Sequence, residues 1–451
     1  MFESHCPRAS GRRVSAALFF ALVTLWSAGG HAQPYELPLA AALDSAVRHN
    51  EQYQTVLAQL DRAEGQIVSA RAGLFPTIDL HANYNRTLEL PKIFFAGQEF
   101  TIGTKYTVVG GLTFDQTVFE GGGVLSAWQA AQQYRRMNEH LAQQARLELE
   151  AQVATAYFDA LLAAQLVDVS RQTLALTEEH AAVVARKFAD GMVSEYDNLS
   201  ARVRVANARP PVLQAENDLR LALLRLANLV GLPPDLEMVI HDAEPDSASW
   251  EYDGTDLVTI ARRQRSDLAA MMHRISAIDK AVGVLKAERW PSLHLKGTFD
   301  YQALTDDSWP ARDDYFRSWQ VGLSASYNLF DGFRRRGNIQ VLRVDQREAE
   351  LRQSELDRAV ALQIADARSR FEEAGARLQA QGESVAEAER GLQIANLRYE
   401  SGVGTQLEVL DAQVALATAR VFAARARHDR RVARVAWRLA MGEPVFARAG
   451  E

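Results

Sequence analysis

Residues 124–190 contain neither glycine nor proline, with Gly121, Gly122 and Gly123 just before them and Gly191 just after. A helix filling that interval rises about 1.5 Å per residue and so runs on the order of 100 Å. Helices of globular domains average about 11–12 residues. The interval therefore demands a rod, whether coiled coil, helical repeat or long bundle. The rest of the chain has to be compatible with a rod of that length.

Residues 1–32 read as an export signal. Arg8, Arg12 and Arg13 precede an apolar core at 14–26, and Gly30, His31 and Ala32 supply a small-residue cleavage site. That core is too short to span a bilayer as a helix. Cys6, the only cysteine, lies inside the signal, so the exported chain is expected to have no disulfide, no thiol chemistry and no acylated N-terminal cysteine. Lys and Arg number 50 against 57 Asp and Glu; losing Glu3 and three arginines with the signal takes the net charge from −7 to −9. A mildly acidic exported chain fits no nucleic-acid partner. No later stretch reaches 18 consecutive apolar residues, so any membrane crossing is expected to be by strands.

Read in order, residues 39–71 have helical periodicity and Pro76 stops them. The period then changes to two: Ile78, Leu80, Ala82 and Tyr84 alternate with Thr77, Asp79, His81 and Asn83. A loop at 88–105 leads to a second alternating run, 106–119. The long helix follows, then a shorter helix over 195–230 with an expected kink at Pro210 and Pro211.

The second half repeats this plan. GLFPTIDLHANY from Gly73 matches ERWPSLHLKGTFDY from Glu288, and GGLTFDQTVFEGG matches VGLSASYNLFDG, aligning Phe330, Asp331 and Gly332 with Phe119, Glu120 and Gly121. KFADGMVSEYDNLSA matches RYESGVGTQLEVLDA, so that Gly402 follows Gly191, and Gly442 follows Gly231, by the same 211 positions. One spacing shared by separated motifs marks an internal duplication. Gly375, Gly382 and Gly391 interrupt the second long helix at about 1 kcal/mol each against alanine, so it is expected to be helical but looser. The expected divisions are a signal at 1–32, a first repeat at 33–231, a linker at 232–255, a second repeat at 256–442 and a tail at 443–451.

Each expected strand is long enough, with a continuous apolar face, to cross a bilayer at a tilt. Four strands cannot close a barrel, and open edges do not survive in lipid. Oligomerisation follows: two copies give eight strands and three give twelve. Aromatics at strand ends (Tyr84, Tyr106, Phe119, Tyr301, Trp319, Tyr327, Phe330) favour membrane girdles over a soluble sheet capping a bundle. The fold class is mainly α with transmembrane β, built from duplicated long helical hairpins and four strands per protomer.

The order of elements, the duplication, the export signal, the TAYFDALLAA segment at 155–164 and the paired tips together resemble the TolC family of outer-membrane efflux channels. The resemblance implies a homotrimer, with a 12-stranded barrel in outer-membrane lipid continued by a periplasmic α-helical barrel. It also implies a periplasmic adaptor and an inner-membrane transporter as partners, in drug efflux or type I secretion. A periplasmic coiled-coil adaptor that never enters the membrane is the alternative. Adaptors should carry compact all-β modules around one hairpin, whereas this chain has two hairpins.

Ser194 with Asp197, and Thr405 with Glu408, both read as capping boxes. By resemblance, Glu408 and Asp411 stand where the family has acidic rings at the tunnel entrance. Asp197 and Tyr399 stand where a carboxylate and a tyrosine hold that entrance shut. Gly404 replaces an arginine that some members carry in this latch. The turns Gly191, Met192, Val193, Ser194 and Gly402, Val403, Gly404, Thr405 stand where the family meets its adaptor. Symmetry copies of the acids would favour cations at the constriction. Arg334, Arg335 and Arg336 either meet lipid phosphates or form a solvated basic turn. No HExxH, GxSxG or phosphate-binding glycine loop occurs, so no enzyme activity, cofactor or metal is expected.

Overall fold

The computed structural model describes residues 35–95, 97–242 and 256–445. The expected signal, residues 243–255 of the expected linker and the end of the tail lie outside the described residues. The first half runs β1 (Tyr35–Glu36), α1 (Leu39–His49), α2 (Glu51–Ala72), β2 (Thr77–Arg86), β3 (Lys92–Phe95), β4 (Gln98–Thr101), β5 (Tyr106–Glu120), α3 (Gly123–Ala189), α4 (Glu195–Val230) and β6 (Met238–Val239). The second runs α5 (Leu257–Gln264), α6 (Ser266–Ala287), β7 (Ser292–Thr305), β8 (Tyr315–Ser326), α7 (Arg334–Glu400) and α8 (Gln406–Met441).

The long helices α3 and α7 have 67 residues each, and α4 and α8 have 36 each. Their starts, 123 and 334, then 195 and 406, keep the spacing of 211. Helices α2 and α6, of 22 residues each, start at 51 and 266, a spacing of 215. The four-residue difference is lost between the first strand and the long helix of the second half. Two details depart from the periodicity. The leading helix is two helices, because Asn50 is extended and its side chain accepts from the N–H of Tyr53, capping α2. The expected loop at 88–105 holds the β3–β4 hairpin.

Helix α4 is continuous through Pro210 and Pro211, which leave the carbonyls four residues back without helical partners. Helix α7 is continuous through its glycines. At Gly375 an added Cβ would lie 3.2 Å from the Arg430 guanidinium, which stacks 3.4 Å from the Phe371 ring centroid and donates to the Phe371 carbonyl at 2.6 Å. That glycine makes room for a neighbouring side chain.

The sheet order is β2-β5-β7-β8, antiparallel throughout, and among the described residues neither β2 nor β8 has an outer neighbour. One face carries rows such as Leu80, Leu112, Phe299 and Trp319, with Leu80 81% and Trp319 76% exposed. The other carries Asp79, Thr113, Thr298 and Gln320, and there His81 Nε2 lies 3.2 Å from Asp300 and His294 Nδ1 3.2 Å from Asp115. Strand β8 stops at Ser326 rather than reaching the aligned Phe330. Its partner β7 begins at Ser292, just after Pro291, which has no N–H to continue the ladder.

At mid-height Tyr157, from the TAYFDALLAA segment, is fully buried among Leu37, Ala42, Ala46, Leu226 and Val230. Its Oη lies 3.0 Å from the carbonyls of Leu37 and His241 and ties the waist together. Burial holds its pKa above the usual tyrosine value. The two hairpins of the protomer meet along α3 and α8. Asp159 contacts His428 Nε2 at 2.7 Å, Arg420 donates to Gln172 at 2.6 Å, and Gln413 donates to the Leu176 carbonyl at 3.2 Å. One 18-residue window of α3 has a mean hydropathy of 1.2, and α3 meets this packing with α1, α2, α4, α6 and α8 around it.

Candidate functional site: the helical tips

Both tips turn through a glycine in the left-handed region, Gly191 at φ 72° and Gly402 at φ 79°. There a side chain would be strained. The next helix then starts with a hydroxyl cap. At the α3–α4 tip the capping box is complete: Asp197 N–H donates to Ser194 Oγ at 3.2 Å, and Asp197 Oδ2 accepts from Ser194 N–H at 3.2 Å and from Ser194 Oγ at 2.7 Å.

The α7–α8 tip does not repeat this. Thr405 Oγ1 accepts from Glu408 N–H at 3.3 Å, but the Glu408 carboxylate pairs instead with Arg398 Nε at 3.1 Å. The second expected capping box is therefore half a box, because a cation within reach draws the acid away from the helix start. Both side chains are about half exposed, 51% and 42%, so the pair contributes about 1 kcal/mol or less. Gly404 approaches the end of α7 closely: its N–H donates to the Arg398 carbonyl at 2.8 Å, and a Cβ there would lie 2.8 Å from Arg398 Cβ. The position that resembles a latch arginine has no room for any side chain in this turn. The nearest cation to this turn's acid is Arg398, paired with Glu408.

Tyr399 is buried, 6% exposed, among Val184, Ala201, Leu392 and Val409, which come from all four long helices. Its ring packs 5.2 Å from His180. Lys187 Nζ lies 4.2 Å from the ring centroid and donates to the Tyr399 carbonyl at 2.6 Å. Among the described residues the Tyr399 hydroxyl and His180 Nε2 are buried without a hydrogen-bond partner. Burial, and then the Asp197 charge, raise the tyrosine pKa. Burial, then Arg204 and Lys187, lower that of His180. Asp197 thus acts on Tyr399 through its field while its hydrogen bonds go to its own cap.

Asp411 is exposed and has no ion pair among the described residues. Met192 and Val403 are exposed at 71% and 70%, and Val193 packs on the Tyr399 cluster. Lys187, His180 and Arg398 are the residues that motif reasoning missed. Lys187 and Arg398 occupy matched positions in the two copies, four before each glycine, which was a usable signal. His180 has no such signal, since its counterpart is Gly391.

A membrane sheet with two free edges, set on a duplicated pair of hairpins with polar tips, defines an outer-membrane duct protein. The family model described as "Outer membrane efflux protein" matches residues 42–232 and 257–443, so the chain belongs to the outer membrane efflux protein family. It is 28% identical to the outer membrane protein OprJ of Pseudomonas aeruginosa over 384 residues, which is 83% of this chain and 78% of that one. It is 27% identical to the protein CyaE of Bordetella pertussis over 393 residues, 84% and 78% of the two chains. The crystal structure of the outer membrane protein VceC from Vibrio cholerae superposes with a TM-score of 0.76 at 22% identity, covering 90% of this chain and 97% of that one. The chain is an outer-membrane efflux channel with a large periplasmic part, and the soluble adaptor reading is set aside. Its family is one of transport.

Proposed function

We propose that three copies of this chain close into one duct, gated at the tips and joined there to a periplasmic adaptor and, through it, to an inner-membrane transporter. The observation that carries this reading is the pair of unpartnered flanks. Helices α3 and α8 face each other inside the protomer, whereas α4 presents Tyr196, Leu199, Val203 and Leu213 outward and α7 presents Leu362, Ile394 and Leu397. Strands β2 and β8 leave their edges free on the sheet. A rotation that brings α4 of one copy against α7 of the next also brings β8 against β2, which would satisfy backbone groups that lipid cannot. Light scattering of the detergent-extracted protein should give three copies of the chain, with a gel mobility that changes on heating; a monomer in the soluble periplasmic fraction would refute the reading.

Within that assembly Asp411 and Glu408 line the constriction and favour cations. Asp411 carries more of the effect, because Arg398 already offsets Glu408. In planar-bilayer recordings Asp411→Ala should reduce cation preference more than Glu408→Ala does, and equal selectivity in both variants and the parent would remove these residues from the gate. Gly191, Met192, Val193, Ser194, Gly402, Val403, Gly404 and Thr405 form the rim offered to the adaptor. Cargo selection is left to the transporter that delivers the substrate to the duct.

A further inference from the structure

The arginine triplet that follows β8 is mostly engaged within the protein. Arg334 pairs with Glu288 at 2.9 Å, and Arg335 donates to the Glu288 carbonyl at 2.5 Å and lies 3.8 Å from Asp331. These contacts tie the start of α7 to the end of α6. Arg336 has no ion pair among the described residues, and neither has Arg289, a further cation beside the lipid-facing surface. It is exposed and has no ion pair or ring contact among the described residues.

Arg289, Trp290, Pro291 and Tyr327 line an open groove of about 500 Å³. The groove continues the lipid-facing side of the sheet. Leu293 pairs with Ala325 in the row above, on the same side as Leu295 and Leu323, so Pro291 and Tyr327 extend that side by one step below the end of the ladder. Trp290 is 63% and Tyr327 57% exposed. The groove is set by backbone. Trp290 N–H donates to the Ala287 carbonyl at 3.0 Å, and Gly121, at φ 58°, passes so close that a Cβ there would lie 2.9 Å from Trp290 Cβ and 2.4 Å from the Ala287 carbonyl. The duplicated counterpart differs: before β2 the aromatic–proline pair is Phe75 and Pro76, and Arg71 sits 5.7 Å over the Phe75 ring. Arg289 aligns with Leu74 and Arg71 with Lys286, so a free arginine directly before the aromatic–proline pair belongs to the second half alone.

We infer that the Arg289–Trp290–Pro291–Tyr327 groove binds the phosphate of a glycerophospholipid of the inner leaflet, with Arg289 on the phosphodiester and Trp290 and Tyr327 at the level of the acyl esters. A guanidinium matches the phosphate oxygens in charge and fork geometry. Amphipathic Trp and Tyr rings favour the headgroup boundary. The apolar face immediately above receives the acyl chains.

The test uses the detergent-purified, fully assembled protein in native mass spectrometry, with didecanoyl phosphatidylglycerol, didecanoylglycerol and inorganic phosphate as three separate probes. Phosphatidylglycerol should be retained, and Arg289→Ala should weaken its retention about fivefold, the effect of one basic residue at a headgroup surface. Arg289→Lys should recover part of the loss, and Arg71→Ala should leave retention unchanged. Heat-modifiable migration of each variant reports that the assembly is intact. Equal retention of didecanoylglycerol would reduce the groove to an apolar belt and overturn the proposal. So would equal uptake of inorganic phosphate, which would make it a free-anion site, or unchanged lipid retention in an intact Arg289→Ala assembly.

Discussion

The two helical tips are copies of one turn, and they use their charges in opposite directions. At the α3–α4 tip the acid stays at home, with Asp197 closing its own capping box, while the base reaches across from Lys187 to the Tyr399 carbonyl and ring. At the α7–α8 tip acid and base stay together, Glu408 on Arg398, and the tyrosine of that hairpin receives the cation from the other. Duplication supplied two equal turns. A few substitutions, Phe188 against Tyr399, Val193 against Gly404 and His180 against Gly391, made one tip the donor and the other the receptor of the contact between hairpins.

The largest expected effect is at the receptor. Tyr399→Ala removes a buried ring shared by all four long helices and should weaken the tip by about 3–5 kcal/mol, read as loss of hydrogen-exchange protection around residues 395–410. Phe188→Ala, at the matched but 39% exposed position, should change protection by no more than about 0.5 kcal/mol. Equal effects would show the tips to be interchangeable. Next comes the turn itself: Gly404→Ala places a Cβ 2.8 Å from Arg398 Cβ and should cost about 1–3 kcal/mol. Val193→Ala, at the equivalent place, should cost less.

The charge asymmetry is sharpened by a pair of methionine substitutions. Lys187→Met severs a charge-assisted bond between hairpins, with an expected loss of about 1.5–3 kcal/mol. Arg398→Met severs only a half-exposed pair, with about 1 kcal/mol or less. If the second loss exceeded the first, the donor and receptor roles would have to be exchanged.

A further effect is the pH dependence. Burial, then Arg204 and Lys187, disfavour the charged form of His180, so its pKa in the packed tip is below its ordinary value. The unpacked tip takes up the proton first. The packing of the tip is therefore at full strength above the ordinary histidine value of about 6.5 and weakens as the pH falls from there toward the depressed value, by at most about 1.4 kcal/mol per unit. His180→Phe should flatten that slope in exchange measurements between pH 7 and pH 5. A slope that persists in the variant would locate the titrating group elsewhere.

Much of this organisation was legible in the residues. The glycine- and proline-free interval, the period-two runs and the 211-residue spacing state the rod, the strands and the duplication, because all three are local patterns repeated along the chain. The family resemblance brought the tips into focus as a set. What stayed hidden depends on partners distant in sequence. Glu408 satisfies the pattern of a capping box and leaves it for Arg398. Lys187 finds a carbonyl 212 residues away. The β3–β4 hairpin lies in KIFF and QEFT, four-residue runs too short to show a period. The arginine triplet looks like a basic patch until Glu288 is seen beneath it, and Arg289 looks ordinary until its neighbours leave it free.

The equality of the long helices also constrains how a chain of this kind changes over evolutionary time. Since α3 and α7 both hold 67 residues, and α4 and α8 both hold 36, the two tips end level with one another. An insertion of about seven residues in α3 alone would drop its tip about 10 Å below the other, and a level rim would become a notched one. Length can be altered only in matched steps: an insertion in one stave is tolerated when it recurs in the other and in the helix that packs back along each. The duplicated chain thus carries two records of the same distance, and each holds the other to it.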